Sequence, residues 1–292
     1  MPAVNDSISA DEERVLRSIE LAAVASPHSR FTGNHPVSRR GGSSEFREHE
    51  NYTAGDSLRH INWRIYAKSG KLFLKTRDDE QNPVSAILFD VSSSMRSRYN
   101  YAGKIPALEN LCRYFCYAFI IHRQPAAFSF FSTRLHEPLA AEKIISPQKI
   151  LQKMHEYICG ADRQITDYCR VFSEAIAAIP QNSRLYLVSD FYIDPEKLAK
   201  ELAKFTLKKC LLTCVHFIDS SEYTLNIKSG NVFIDSESGE KMYFDGVLSA
   251  EYRRLVDRHI KNMELACRAA GINYKTFFTA QNPLRQFAGI FS

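Results

Sequence analysis

Three oxygen-bearing side chains stand close together directly after an apolar run. Asp90, Ser92 and Ser94 follow residues 84–89, whose apolar composition predicts a buried strand. Because the three residues alternate at i, i+2 and i+4, their side chains can converge on one small cation. Carboxylate and hydroxyl oxygens are the ligands that Mg²⁺ prefers, and open α/β sheets bind ligands beyond the carboxyl ends of their strands. The spacing therefore predicts a magnesium site at the end of this strand.

Two further residues could complete that site. Asp190 ends a second apolar run, residues 184–189, and Thr166 lies in a loop before a predicted helix. If the two runs form neighbouring parallel strands, their carboxyl ends meet at one edge of the sheet. We therefore predict an oxygen cluster in which two carboxylates offset the charge of a divalent cation: Asp90, Ser92, Ser94, Thr166 and Asp190. The alternative is that Asp90 and the serines only cap the turn and helix that follow.

Strands and helices alternate along most of the chain. Apolar runs predict strands, and segments with apolar residues every three or four positions predict helices between them. The predicted strands are residues 84–89, 126–131, 184–189, 210–217 and 272–278, and the predicted helices are residues 105–122, 147–159, 168–179, 195–205 and 249–270. Asp167 and Asp194 are expected at helix starts. Residues 231–244 break the alternation and predict a β-hairpin. This order predicts an α/β fold with a mostly parallel central sheet and helices on both faces.

The first 80 residues differ in composition from the rest. Residues 11–25 have a helical apolar period, and residues 29–44 are rich in Ser, Gly and Arg, which predicts a loop. Between residues 30 and 77, ten Lys or Arg stand against four Asp or Glu, whereas the whole chain has a net charge of +5. We therefore predict a basic N-terminal extension over residues 1–80, made of helix, loop and strand. The main domain is expected over residues 81–292 and includes the hairpin.

Composition excludes several classes of protein. A hydrophobic fraction of 45% and a charged fraction of 24% are ordinary for a globular protein and exclude chain-wide disorder. No apolar run approaches the roughly 20 residues of a membrane-spanning helix, and the acidic, polar N-terminus does not have the pattern of a signal peptide. The seven cysteines form no CxxC pair, so we interpret them as core residues in a reducing compartment rather than zinc ligands or disulfides. We therefore expect a cytoplasmic protein.

The order of the candidate ligands is similar to that of a known metal site. Asp-x-Ser-x-Ser at residues 90–94, followed by Thr166 and the strand-end Asp190, resembles the metal-ion-dependent adhesion site (MIDAS) of von Willebrand factor type A domains. The resemblance implies a Rossmann-type fold of that kind. It also implies that Mg²⁺, or Mn²⁺ in its place, keeps an open position that accepts a carboxylate of a protein partner. On this interpretation the site binds a partner and does not catalyse a reaction.

The chain as a whole more closely resembles the bacterial domain of unknown function 58 family, which contains such a domain. The resemblance runs over residues 38–283 and rests on Glu45-Phe46, on Tyr-x-x-Gly-Asp-x-x-Arg-x-Ile-x-Trp at residues 52–63, and on the DVSSSM strand end. One departure is Asn62, where the family usually has aspartate. The resemblance implies an accessory factor of a MoxR-type AAA+ ATPase that assists the assembly or activation of other proteins.

Two other functions remain open on the sequence. A metal-dependent hydrolase or phosphatase could also begin with a strand-end aspartate, but an aspartyl phosphatase needs a second aspartate two residues later, where this chain has Ser92. The basic extension could bind nucleic acid, although its arginines have few aromatic residues between them. Partner binding through the metal site is the function that we expect.

Overall fold

The structure is a computed structural model in which the chain separates into two units. Residues 1–27 and 83–292 form one unit, and residues 28–82 form the other. The structure describes residues 8–21, 66–67, 70–72, 84–96, 104–160, 166–224, 232–234, 241–243 and 249–291. Apart from residues 66–67 and 70–72, all of these belong to the first unit, which the following paragraphs concern. The predicted loop at residues 29–44 and the motif at residues 52–63 lie outside the described residues.

A parallel sheet forms the centre of the first unit. Its strands in chain order are β1 (Ser85–Asp90), β2 (Ala126–Phe131), β3 (Arg184–Ser189), β4 (Leu211–Ile218) and β7 (Asn273–Phe278). In space they lie in the order β2-β1-β3-β4-β7, and every neighbouring pair is parallel. All six residues of β1 are buried, as expected for a strand covered on both faces. The predicted strands are confirmed to within one residue at each end.

Helices cover both faces of this sheet. In chain order they are α1 (Ala10–Ser18), α2 (Lys104–Ile121), α3 (Pro147–Gly160), α4 (Tyr168–Ala178), α5 (Pro195–Leu207), α6 (Ser220–Thr224), α7 (Ser249–Ala269) and α8 (Pro283–Ile290). Successive side chains of a strand point to opposite faces. Ile87 and Phe89 of β1 accordingly pack with α1, α2, α3 and α8, whereas Ala86 and Leu88 pack with α4, α5 and α7. The predicted α/β class, with helices on both faces, is confirmed.

Side-chain caps fix the starts of two helices that flank the predicted site. Asp167 accepts a hydrogen bond from the backbone N–H of Arg170 at the start of α4, and Asp194 accepts one from Lys197 at the start of α5. Each cap satisfies a backbone N–H that has no partner within its own helix. The prediction that both aspartates mark helix starts is therefore confirmed. The short helix α6 and the C-terminal helix α8 were not predicted.

The N-terminal helix is shorter than its apolar period predicts. The period extends over residues 11–25, but α1 ends at Ser18 because Ile19 takes an extended conformation with ψ of 121°. Ile19 and Leu21 are buried in the same core cluster as Leu16, so the apolar period continues in extended chain. Residues 22–25 lie outside the described residues. Since α1 belongs to the same unit as the sheet, this helix packs on the main domain; the predicted boundary near residue 80 stays a prediction.

Two short strands lie apart from the central sheet. β5 (Val232–Ile234) and β6 (Lys241–Tyr243) pair antiparallel, with Val232 opposite Tyr243 and Ile234 opposite Lys241. This pairing agrees with the hairpin predicted over residues 231–244.

Most of the cysteines lie in the core, as the sequence predicts. Of the seven cysteines, all free, five are buried: Cys112, Cys116, Cys210, Cys214 and Cys267.

In the described part of the chain, no helix combines the length and the apolar character that a membrane span requires.

Candidate metal centre

Asp90 is the last residue of β1 and is fully buried. The backbone N–H of Ser92 donates to its Oδ1 over 2.9 Å, a local turn typical of aspartate. The next strand along the sheet, β3, ends at Ser189, so that Asp190 follows at the same edge. The apolar runs therefore place the two carboxylates on neighbouring strands, as predicted.

The three predicted hydroxyl ligands belong to one hydrogen-bonded group with Asp90. The Oγ atoms of Ser92 and Ser94 are 3.0 Å apart. The Oγ1 of Thr166, just before α4, is 3.5 Å from Oδ1 and 3.4 Å from Oδ2 of Asp90. Asp90, Ser92 and Ser94 are buried, and Thr166 is partly exposed. The structure thus brings four of the five predicted ligands together through hydrogen bonds.

Asp190, the fifth predicted ligand, is close enough to influence Asp90 but is engaged elsewhere. Burial raises the pKa of Asp90 to about 7, with the negative charge of Asp190 as the next cause. Hydrogen bonds from Ser189 and Ser92 oppose this rise. Two buried carboxylates that repel each other favour a cation or a proton between them. The carboxylate of Asp190 meets the ammonium group of Lys104, with 3.4 Å between Oδ2 and Nζ.

Lys104 is a residue of this site that the sequence analysis missed. It is the first residue of α2, and its side chain is only 1% exposed. Its Nζ donates to the backbone carbonyl of Ser94 over 3.1 Å and lies 2.8 Å from Oε2 of Glu222 on α6. Burial lowers the pKa of Lys104, but the charges of Asp190 and Glu222 outweigh burial and raise it above its ordinary value. Lys104 is therefore a buried, charged ammonium group at the edge of the cluster.

Ser189 is a second residue that the sequence analysis did not assign. Its Oγ donates to Oδ2 of Asp90 over 2.7 Å, accepts from the N–H of Phe191 over 3.1 Å, and lies 2.8 Å from the Tyr168 hydroxyl. Because its one proton goes to Asp90, Tyr168 must donate to Ser189. A serine at the end of an otherwise apolar strand is the signal that could have found it. Ser189 fixes the orientation of the Asp90 carboxylate.

The donor set agrees with a hard divalent cation. Within the described residues, no group of three or more His, Cys, Asp and Glu is placed to hold a metal, so a zinc-type site is not found there. The predicted site instead combines two carboxylates with three hydroxyls. Adjacent ligands of octahedral Mg²⁺ are about 3 Å apart at its usual bond length, which is the separation of the Ser92 and Ser94 oxygens. These residues fit Mg²⁺ or Mn²⁺.

A small cavity adjoins the cluster on the side of Thr166. Its volume is about 190 Å³, and its lining includes Thr166, Tyr168, Tyr192 and Lys197. This volume is below the roughly 300 Å³ at which pockets for small-molecule ligands begin. The cavity has room for one side chain beside Thr166, one of the predicted ligands.

Comparison with known families gives a match over most of the chain. The family model described as "Protein of unknown function DUF58" matches residues 48–262. A search of curated proteins found no match.

Several solved structures resemble the chain with low sequence identity. BatB from Bacteroides thetaiotaomicron is 10% identical with a TM-score of 0.46, covering 71% of this chain and 96% of that one. An aerotolerance-related membrane protein from Bacteroides fragilis is 8% identical with a TM-score of 0.45, covering 71% and 96%. The SpRpn10 VWA domain is 12% identical with a TM-score of 0.43, covering 70% and 93%.

Proposed function

The chain belongs to the DUF58 family, and on that premise we propose that it is a non-enzymatic, metal-dependent protein-binding adaptor. In this proposal, Asp90, Ser92, Ser94, Thr166 and Asp190 form a MIDAS-type site for Mg²⁺ or Mn²⁺. The bound ion docks a carboxylate of an acidic residue on a protein partner.

The observation that supports the proposal most strongly is the convergence of hydroxyl oxygens on a buried carboxylate. Asp90 is fully buried at the sheet edge where α/β proteins bind ligands, and burying a charge without compensation is costly. The hydroxyls of Ser92, Ser94 and Thr166 are neutral. A cation held by them and two carboxylates, one of which already pairs with Lys104, keeps part of its positive charge. That residual charge attracts a carboxylate.

The surroundings of the cluster favour a side chain of a partner over a small substrate. The cavity beside Thr166 holds about 190 Å³, and Lys197 lines it. Lys197 is exposed, so its ammonium group can attract an acidic segment. Catalysis is less well supported, because Ser92 stands where an aspartyl phosphatase would need its second aspartate. We therefore propose binding as the role of the site.

The identity of the partner is the part of the proposal that rests on family resemblance. We propose a MoxR-type AAA+ ATPase or its client, in the cytoplasm, in the assembly or activation of other proteins. The seven free cysteines support a reducing compartment.

The proposal is tested with the purified chain and a purified MoxR-type ATPase from the same organism. Asp90→Asn removes the buried charge and keeps the side-chain shape. Asp194→Asn is the matched control, because Asp194 is an exposed helix cap and Asn caps helices as well as Asp does. We expect Mg²⁺-dependent capture of the ATPase by the wild type and the control, and loss of capture in Asp90→Asn or with chelator. Equal capture by all three proteins, with and without chelator, would refute the proposal.

Two other results would replace the proposal with the functions left open by the sequence. Hydrolysis of p-nitrophenyl phosphate with Mg²⁺ or Mn²⁺, lost in Asp90→Asn, would show a phosphatase. A salt-sensitive shift of DNA or RNA would indicate nucleic-acid binding through the basic residues 30–77.

A further inference from the structure

We propose that Lys104 is an internal competitor of the divalent cation: its ammonium group neutralises Asp190 when no metal is bound and must give up part of that interaction when metal binds. The inference rests on the proposed function and adds a regulator to the same site. Lys104 would make metal binding, and with it partner docking, weaker than the donor set alone would allow.

The position of Lys104 ties it to the predicted ligands. Its Nζ lies 3.4 Å from Oδ2 of Asp190 and 3.1 Å from the backbone oxygen of Ser94, so two of the predicted ligand residues already hold a positive charge. An ammonium group has three donors, and Glu222 takes the remaining one, with 2.8 Å between Nζ and Oε2. All three donors are therefore directed to acceptors.

Burial strengthens the effect of the Lys104 charge on a nearby ion. The Lys104 side chain is 1% exposed and that of Asp190 is 4% exposed, so water screens their interaction with a nearby ion only weakly. The Lys104 ammonium group contacts the backbone oxygen of Ser94, whose hydroxyl is a predicted ligand. A divalent ion held by that hydroxyl would be repelled by the lysine charge, because like charges repel strongly in a protein interior. Loss of the lysine charge should therefore strengthen metal binding.

Removing the charge of Glu222 should change the affinity for divalent cations in the opposite direction. Glu222 pairs with the same ammonium group as Asp190, and its side chain is 26% exposed. Glu222→Gln removes a negative charge and leaves Lys104 with Asp190 as its carboxylate partner. We expect this variant to bind divalent cations more weakly than the wild type, whereas Lys104→Gln should bind them more tightly.

The experiment is a titration with Mn²⁺ alone, followed by electron paramagnetic resonance of the free ion. Lys104→Gln keeps an amide donor for the Ser94 carbonyl and is expected to bind Mn²⁺ about tenfold more tightly, or 1.4 kcal/mol. Lys200→Gln is the matched control, because Lys200 is an exposed lysine on α5 that does not line the cavity. We expect it to change the affinity by less than about threefold, since water and salt screen an exposed charge. Unchanged or weaker binding by Lys104→Gln, or an equal gain in Lys200→Gln, would overturn the inference.

A second variant covers the case in which Lys104→Gln does not fold. Lys104→Met with Glu222→Gln removes the pair and leaves no unpaired Glu222 charge. Since a ligand of the native state stabilises it, Mn²⁺ should raise the melting temperature of this double variant more than that of the wild type; an equal or smaller rise would overturn the inference. If the wild type binds Mn²⁺ and neither variant binds it more tightly, the role of Lys104 is refuted but the proposed function is not. If only the variants bind Mn²⁺, the role of Lys104 is supported, and the proposal that the wild type binds its partner through a metal ion is refuted. No binding by any of them refutes both.

Discussion

Ser189→Ala should destabilise the metal-free protein more than any other single hydroxyl removal near the cluster. The Ser189 Oγ takes part in three buried hydrogen bonds, to the Asp90 carboxylate, the Phe191 N–H and the Tyr168 hydroxyl. Alanine removes all three and leaves each partner in a buried site. The Asp90 carboxylate, which is fully buried, also loses a donor at 2.7 Å.

The size of the effect follows from these three bonds. A hydrogen bond to a charged group contributes about 1.5–3 kcal/mol, and one between neutral groups contributes about 1 kcal/mol. Water can reach some of the groups left behind and recover part of the loss. We therefore expect the free energy of unfolding to fall by about 3 kcal/mol. That corresponds to a fall of roughly 10 °C in melting temperature for a domain of this size.

The assay is urea unfolding in the presence of chelator, followed by circular dichroism. The matched control is Ser173→Ala, because Ser173 is an exposed serine on α4 whose hydroxyl donates only to the Cys169 carbonyl. The control should lie within about 0.5 kcal/mol of the wild type. A loss below about 1 kcal/mol in Ser189→Ala would refute the argument that Ser189 anchors the buried carboxylate.

Three further predictions concern the same part of the fold. Tyr168→Phe removes one donor to Ser189 and should cost about 1 kcal/mol in the same unfolding assay; no change would show that the hydroxyl is not bonded there. Burial and then the charge of Asp190 raise the pKa of Asp90 to about 7. As pH rises, the unfolded chain therefore releases the Asp90 proton at a lower pH than the folded chain does. The metal-free wild type should therefore lose about 2 kcal/mol or more relative to Asp90→Asn between pH 4 and pH 7, and parallel pH profiles would contradict this. Burial and then the charge of His259 lower the pKa of His216 to about 3, so the unfolded chain takes up a proton first as pH falls. Relative to His216→Gln, the wild type should therefore lose stability as pH falls below 6.5; parallel pH profiles of the two proteins would contradict this.

The sheet and the place of the predicted ligands followed from short-range patterns. Continuous apolar runs ending in Asp90 and Asp190 define two buried parallel strands, and neighbouring strands carry their ends to one edge. Thr166 could be included because it precedes a helix whose start, capped by Asp167, was visible in the sequence. These features depend on local pattern and on a general rule of α/β topology.

Lys104 could not be found in this way because its partners are scattered along the chain. Its ammonium group meets Ser94, Asp190 and Glu222, which come together only when α2 and α6 pack at the sheet edge. The end of α1 was missed for a related reason. Its apolar period continues past Ser18, but Ile19 and Leu21 reach the core from extended backbone. Tertiary packing determines both the contacts of Lys104 and the end of α1, and local sequence patterns do not reveal that packing.

The most direct test of the central claim is a crystal structure of the chain grown with Mn²⁺, with anomalous scattering measured at the manganese edge. We expect one anomalous peak at the carboxyl end of β1, about 2.1 Å from the hydroxyl oxygens of Ser92 and Ser94. Asp90, Thr166 and Asp190 should bind the ion directly or through water, and Lys104 should lie farther from Asp190 than its present 3.4 Å. Saturating Mn²⁺ that gives no peak at this edge of the sheet would contradict the account.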